Sequence, residues 1–159
     1  MNIWARKPFL KLMRLLLRVW FRFRAYNEEA TRIEGPVLLI PNHLSWIDWL
    51  FVGLCVDPDW KFVASVIPTR HSKLHAWILS NPRIILTDNQ SPYAVKEMAA
   101  HLEKGGKLIL FAEGRMSRTG SMQRLFDGSG FLLQKTGAKV ITCHLHGAQR
   151  VLASPHHGW

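Results

Sequence analysis

Residues 37–56 read VLLIPNHLSWIDWLFVGLCV. The run is apolar enough to resemble a membrane span, yet Pro41, Asn42, His43 and Asp48 interrupt it, and such groups are costly in mid-bilayer. Divided at Pro41, it becomes a short apolar strand over Val37–Ile40, a polar loop, and a helix candidate from Ser45 to about Val56 that Pro58 stops. The alternation continues outward. Lys61–Val66 reads as a second strand, His71–Leu79 as a helix and Arg83–Leu86 as a third strand. Ser91-Pro92 supplies an N-cap and a proline at the first helical position, opening a helix that closes at Gly105-Gly106. Lys107–Phe111 is the next strand, followed by the turn-rich AEGRMSRTGSM. A helix over Gly128–Thr136 ends at Gly137, and Lys139–Cys143 is the last strand. Strands alternating with helices predict an α/β fold, a mixed, largely parallel sheet flanked by helices.

The 159 residues are enough for one domain with a real core, and 48% apolar with 20% charged residues excludes a disordered or fibrous chain. The net charge of +10 is lopsided. Residues 1–24 carry seven basic side chains (Arg6, Lys7, Lys11, Arg14, Arg18, Arg22 and Arg24) and no acid, which leaves only +3 for the rest. The division is therefore a cationic leader, 1–26, and a nearly neutral body, 27–159. From Pro8 to Tyr26 the leader reads PFLKLMRLLLRVWFRFRAY, with Lys7, Lys11, Arg14, Arg18 and Arg22 in one helical stripe among leucines and aromatics. Such a helix would be about 27 Å long, close to a bilayer core. Each central cation would cost roughly 2.5–3.5 kcal/mol on insertion, so the helix is expected to lie in the interface, its stripe on anionic lipid. A helix packed on the domain and an Arg-rich transit peptide are the competing readings; a secretion signal is disfavoured by the charges within its apolar run. Cys55 and Cys143 match no metal spacing and read as two buried thiols.

Polar groups that follow strands of such a sheet are the candidates for chemistry. In PNHLSWID, His43 leaves the first strand and Asp48 follows five residues later, in a helix's first turn. A carboxylate at that spacing can hold one imidazole nitrogen and stabilise the imidazolium while the other nitrogen acts as a base. This is the histidine–aspartate part of a triad without its serine, suited to activating a hydroxyl of the substrate. Ser45-x-x-Asp48 is equally a capping-box pattern, and both readings stand at this point. In FAEGRMS, Gly114 allows close backbone approach, and Arg115 or Arg118 can grip a phosphate. An ordinary polar turn is the alternative. His71 and His75, four apart, lack a third ligand and read as a polar helix face, so no metal site is expected. His144, His146, His156 and His157 read as surface or tail residues.

Taken together, NHxSxxD at 42–48 and FxEGxxS at 111–117 resemble the paired signatures, including the HX4D motif, of the glycerolipid acyltransferase family, lysophosphatidic-acid-acyltransferase type. The resemblance runs from about Gly35 to Gly147 and implies a glycerol-3-phosphate acyltransferase-like fold. It implies that His43 is the general base and Asp48 its orienting partner. It also implies that Glu113, Gly114 and Arg115, with Ser117, Arg118, Asn42 and Ser45, form the acceptor site. No cofactor is implied beyond an acyl thioester co-substrate, on acyl carrier protein or coenzyme A. Backbone N–H groups near Ser45 are expected to stabilise the oxyanion. The implied location is the cytoplasmic face of an inner membrane, peripherally attached. The finer pattern EGRMSRTGSMQRLFDGSGFLLQKTGAKVI is similar to the acyltransferase half of the bifunctional 2-acylglycerophosphoethanolamine acyltransferase/acyl-carrier-protein synthetase. Phosphatidic-acid-forming members usually carry EGTRS, with the arginine one place later than Arg115. They also have an arginine closing the segment that here reads NPRIILTDN, where Thr87, Asp88 and Asn89 stand. A monoester phosphate bears close to two charges and a diester one, so the missing cation favours lysophosphatidylethanolamine. Acylation of 1-acyl-glycerol-3-phosphate to phosphatidic acid is the alternative.

Two non-enzymatic readings compete: a basic nucleic-acid-binding module, disfavoured because the charge sits on a strongly apolar helix, and an inactive membrane-bound scaffold. Family members normally continue past the last strand, so the body is expected to lack their C-terminal elements. Trp46, Trp49 and Phe51 read as core or as an acyl-chain wall.

Overall fold

The structure is a computed structural model that describes residues 7–65, 79–87 and 92–151. Its centre is β1, Val37–Pro41, buried along its whole length, as an unbroken apolar run in a covered parallel sheet should be. The other strands are β2 (Trp60–Ser65), β3 (Ile84–Thr87), β4 (Lys107–Ile109) and β5 (Lys139–Cys143). They form one sheet of order β3-β2-β4-β1-β5 in which every pairing is parallel. Val37 lies opposite Lys107 of β4 and Lys139 of β5, so the strands start level and their loops emerge at one edge.

The two faces divide the core. Leu38, Ile40 and Leu108 pack under α3 (Pro92–Glu103) and α4 (Asp127–Thr136), against Met98, Leu102 and Leu132. Val37, Leu39 and Ile109 point the other way, onto Val52 of α2 (Asp48–Gly53), Val56 and Trp60. The chain thus leaves β1 over one face and β4 over the other, and the two loops bracket a crevice at the carboxyl edge. Ligands of open parallel sheets bind there. Helix α3 ends as its glycine pair predicts: Gly105 is left-handed (φ +79°), and the Gly105 and Gly106 N–H groups bond back to the Leu102 and His101 carbonyls.

Two boundaries at the site differ from the sequence reading. The helix expected from Ser45 begins at Asp48, because the Leu44 and Ser45 N–H groups fold around the Asp48 carboxylate instead of entering a helix. The strand expected to reach Phe111 ends at Ile109, where β1 and β2 stop pairing with it. The helix expected over His71–Leu79 falls, apart from Leu79, outside the described residues, as do Asp88, Asn89, Ser91, His156 and His157.

The leader forms α1, Lys7–Phe21. It is not a free amphipathic stripe. Leu17 is buried with Phe51 and Leu54, backed by Met13 and Phe23, and Arg14 turns inward to pair with Glu28, which raises its already high pKa. Arg22 lies beyond the helix in the left-handed region (φ +50°), where a non-glycine residue costs about 1–2 kcal/mol. Only part of the expected stripe is therefore a stripe. The opposite side of α1 exposes Leu12, Leu15 and Val19, and Trp20, near the end of the helix, is 79% exposed. Among the described residues, no helix is long and apolar enough to cross a membrane.

Replacing Leu17 with Ala should cost about 2–5 kcal/mol, read as a lower urea midpoint. An unchanged midpoint would mean that α1 is not docked. The His101 imidazole sits where Gly106 leaves room for it. Burial, and then the Lys61 charge, lower its pKa against an opposing backbone hydrogen bond to Lys107. The folded state thus binds this proton less readily than the unfolded chain. Stability should be intact above about pH 6.5 and fall as pH drops below it. NMR titration should place His101 below 6.5, and His101→Gln should flatten that part of the pH–stability profile.

Candidate active site

The loop after β1 is organised by one carboxylate. Asp48 is fully buried, and its Oδ2 accepts from His43 Nδ1 at 2.9 Å, the Ser45 N–H at 2.8 Å and the Leu44 N–H at 2.5 Å. Its Oδ1 accepts from the Ser45 hydroxyl at 2.5 Å. Oδ2 is already the acceptor of two backbone N–H groups and meets the imidazole as an acceptor as well, so Nδ1 of His43 is the donor and Nε2 presents a lone pair. The ring is 23% exposed and on the cavity wall, packed on the Phe111 ring with centroids 4.5 Å apart. The capping-box reading of Ser45-x-x-Asp48 does not hold, because the N-cap of α2 is Ile47 and the Ser45 hydroxyl bonds to the Asp48 carboxylate; that carboxylate instead turns the backbone and aims the imidazole.

A second carboxylate joins the two loops. Glu113 is buried; one oxygen accepts from the His43 N–H at 3.0 Å and the other from the Gln123 N–H at 3.0 Å. The buried Ser117 donates its N–H to the His43 carbonyl at 2.7 Å and its hydroxyl to the Ser121 carbonyl at 2.7 Å. The residues around 43 and 113–117, distant in the chain, are therefore stitched backbone to side chain. Asn42 does the same for the segment after β5: its amide donates to the Leu145 carbonyl at 3.1 Å, and its oxygen accepts from the Leu145 N–H at 2.6 Å.

Of the nine residues singled out from the sequence, His43, Gly114 and Arg115 line the cavity of about 800 Å³ at this edge. Arg115 is exposed there, its Nε held on the Gln123 side-chain oxygen at 2.7 Å. Gly114 is left-handed (φ +67°), and a Cβ on it would overlap the Phe126 ring. Asn42, Ser45, Asp48, Glu113 and Ser117 stand behind the wall, engaged with the loops themselves. Arg118 is exposed and away from the wall. The expected oxyanion donors near Ser45 need correction, because the Leu44 and Ser45 N–H groups are committed to Asp48.

The rest of the cavity is apolar. Trp46, Trp49, Leu50 and Phe62 form its wall along α2 and β2, whereas Phe51 packs away from it onto Phe21 and Phe23. Arg83 also reaches the cavity, pinned to the Trp60 and Asp57 carbonyls, with its pKa lowered by burial. Phe111, Phe126 and Gln123 had no role assigned from the sequence. Their contacts come from how the segment 110–126 folds back, and no spacing signals that. Cys55 and Cys143 are free thiols away from the cavity; burial pushes Cys55 up to about 12 and raises Cys143 as well.

A family model described as Acyltransferase matches residues 22–146. A chloroplastic 1-acyl-sn-glycerol-3-phosphate acyltransferase of Arabidopsis thaliana is 22% identical over 93% of this chain and 45% of its own length. One from Brassica napus is likewise 22% identical, over 93% of this chain and 46% of its own length. The chain spans about half the length of these curated relatives. Among solved structures, the 1-acyl-sn-glycerophosphate acyltransferase PlsC of Thermotoga maritima shares the fold with a TM-score of 0.68. It is 20% identical and covered over 61% of its chain, against 92% of this one.

Replacing Glu113 with Gln should destabilise the protein by about 1–3 kcal/mol, because one of two buried N–H donors would face an amide NH₂. Thermal unfolding checks this, and an unchanged melting temperature would remove Glu113 as the tie between the loops.

Proposed function

The chain belongs to the acyltransferase family, and from that premise we propose that it moves a fatty acyl group from an acyl thioester to the free hydroxyl of a lysophospholipid. The observation that carries this reading is the His43 imidazole, fixed through Nδ1 by buried Asp48 and set on the wall of a largely apolar cavity. Nε2 takes the proton of the acceptor hydroxyl as its oxygen attacks the thioester carbonyl. Asp48 stabilises the imidazolium that forms. When the carbon–sulfur bond breaks, the imidazolium returns the proton to the departing thiolate. Atoms and charge balance without a covalent enzyme intermediate, and neither a metal nor a cofactor is required by this scheme. Trp46, Trp49 and Phe62 give the acyl chain an apolar wall, and Arg115 gives the acceptor phosphate a guanidinium beside the reacting hydroxyl. Glu113 positions the two loops through backbone N–H groups and does not itself touch the phosphate.

The names of the two plant relatives support 1-acyl-glycerol-3-phosphate as acceptor. A second reading, lysophosphatidylethanolamine, is supported by the cation count. Among the described cavity residues, Arg115 is the cation of the 113–116 segment, while Arg83 keeps its charge but has its Nε and one Nη committed to backbone carbonyls. That leaves Arg115 to grip the phosphate, which matches a singly charged diester better than a monoester. The donor is acyl carrier protein or coenzyme A. The exposed apolar side of α1 supports attachment to an anionic membrane surface, on the cytoplasmic face of an inner membrane.

A thioester-consumption assay over a panel of lysophospholipids tests this. His43→Ala should lower turnover by at least about a hundredfold with the fold unchanged by circular dichroism. Activity within about tenfold of wild type would exclude His43 as the base, and the faster of the monoester and diester acceptors decides the headgroup.

A further inference from the structure

The cations of the leader are not equivalent once folded. Arg14 is spent on Glu28. Arg18, Arg22 and Arg24 instead line one hollow of about 700 Å³ with Phe23 and Tyr26, just past the end of α1. The hollow shares no residue with the cavity around His43. Among the described residues, none of these three guanidiniums has a carboxylate partner, although Glu28 and Glu29 are close in sequence. The backbone is held to this shape. Phe21 and Phe23 both pack on Phe51, at 5.7 and 5.4 Å between centroids, and the Phe23 N–H bonds to the Leu17 carbonyl. Between those anchors Arg22 occupies a left-handed position where glycine is the usual residue. Three like charges around one hollow, one of them on a strained backbone, are an arrangement that an anion would stabilise.

We propose that Arg18, Arg22 and Arg24 form a non-catalytic subsite for a phosphomonoester, the headgroup phosphate of a membrane lipid. Three guanidiniums match a group with about two negative charges and three exposed oxygens better than a diester with one charge. The source is a lipid because Val19 and Trp20, 67% and 79% exposed, lie on the last turn of the same helix. A phosphate in the hollow would place its acyl chains beside that apolar side. The proposal rests on the reading that α1 lies on a membrane surface, and it adds a headgroup preference that diffuse charge attraction does not supply.

The test is co-sedimentation of the full chain with phosphatidylcholine vesicles containing phosphatidic acid, or enough phosphatidylglycerol to match the surface charge. Wild type should bind the phosphatidic acid vesicles at least about fivefold more tightly. Arg22→Gly relieves the backbone strain, so it should unfold at a higher temperature while losing that preference. Lys11→Gln removes an exposed charge elsewhere on α1 and should weaken both lipids equally. Equal wild-type binding to the charge-matched vesicles, or an undiminished preference in Arg22→Gly, overturns the subsite while leaving membrane attachment standing. Failure to bind any vesicle overturns both the attachment and the lipid source. Titration with inorganic phosphate in the absence of vesicles then reports on the hollow. Saturable binding that Arg22→Gly loses supports a phosphate site filled by the free anion, and no binding overturns the subsite itself.

Discussion

A single buried carboxylate, Asp48, sets the conformation on which the candidate chemistry depends. With no exposure to water it must be fully hydrogen-bonded, and the chain between His43 and Ser45 satisfies it by wrapping two backbone N–H groups, a hydroxyl and an imidazole around its two oxygens. That requirement delays helix α2 to Asp48 and turns the His43 ring toward the cavity. It also fixes the tautomer. Local folding and the geometry of the candidate site are here the same set of bonds.

The second loop is attached by the same means. Glu113 is an acid in a segment expected to receive a phosphate, where a free carboxylate would repel the ligand. Burial with both oxygens on the His43 and Gln123 N–H groups lessens that conflict by keeping the carboxylate off the cavity wall. Gly114 follows in a conformation that lets Phe126 close over the backbone, and Arg115 faces the cavity as the cation of this loop. Most of the polar residues around the cavity therefore work one layer back, and few of them touch its interior.

The leader divides its residues between the core and the surface. Leu17, Phe21 and Phe23 tie it to α2 through Phe51 and Leu54, while Leu12, Leu15, Val19 and Trp20 stay exposed. The alternatives of a membrane-surface helix and a helix packed on the domain turn out to be compatible, because the apolar residues surround most of the helix. Helical spacing alone places Arg14 and Arg22 with the other cations; the pairing with Glu28 and the end of α1 at Phe21 remove them from that row.

The order of strands and helices was legible from residue pattern, because short apolar runs bounded by proline and glycine leave little choice of local structure. The family resemblance was legible in two short polar segments for a similar reason: few arrangements other than a shared site need NHxSxxD and FxEGxxS in one chain. Neither pattern could distinguish residues that face the cavity from residues that hold it open. Asn42, Ser45, Glu113 and Ser117 have the polarity of ligand contacts, yet Asn42, Glu113 and Ser117 are occupied by backbone from other parts of the chain and Ser45 by the Asp48 carboxylate. Tertiary structure decided this, because partners such as Leu145 and Gln123 are brought near only by the pairing of β1 with β4 and β5, and hydrogen bonds made across such distances leave no periodicity in the chain.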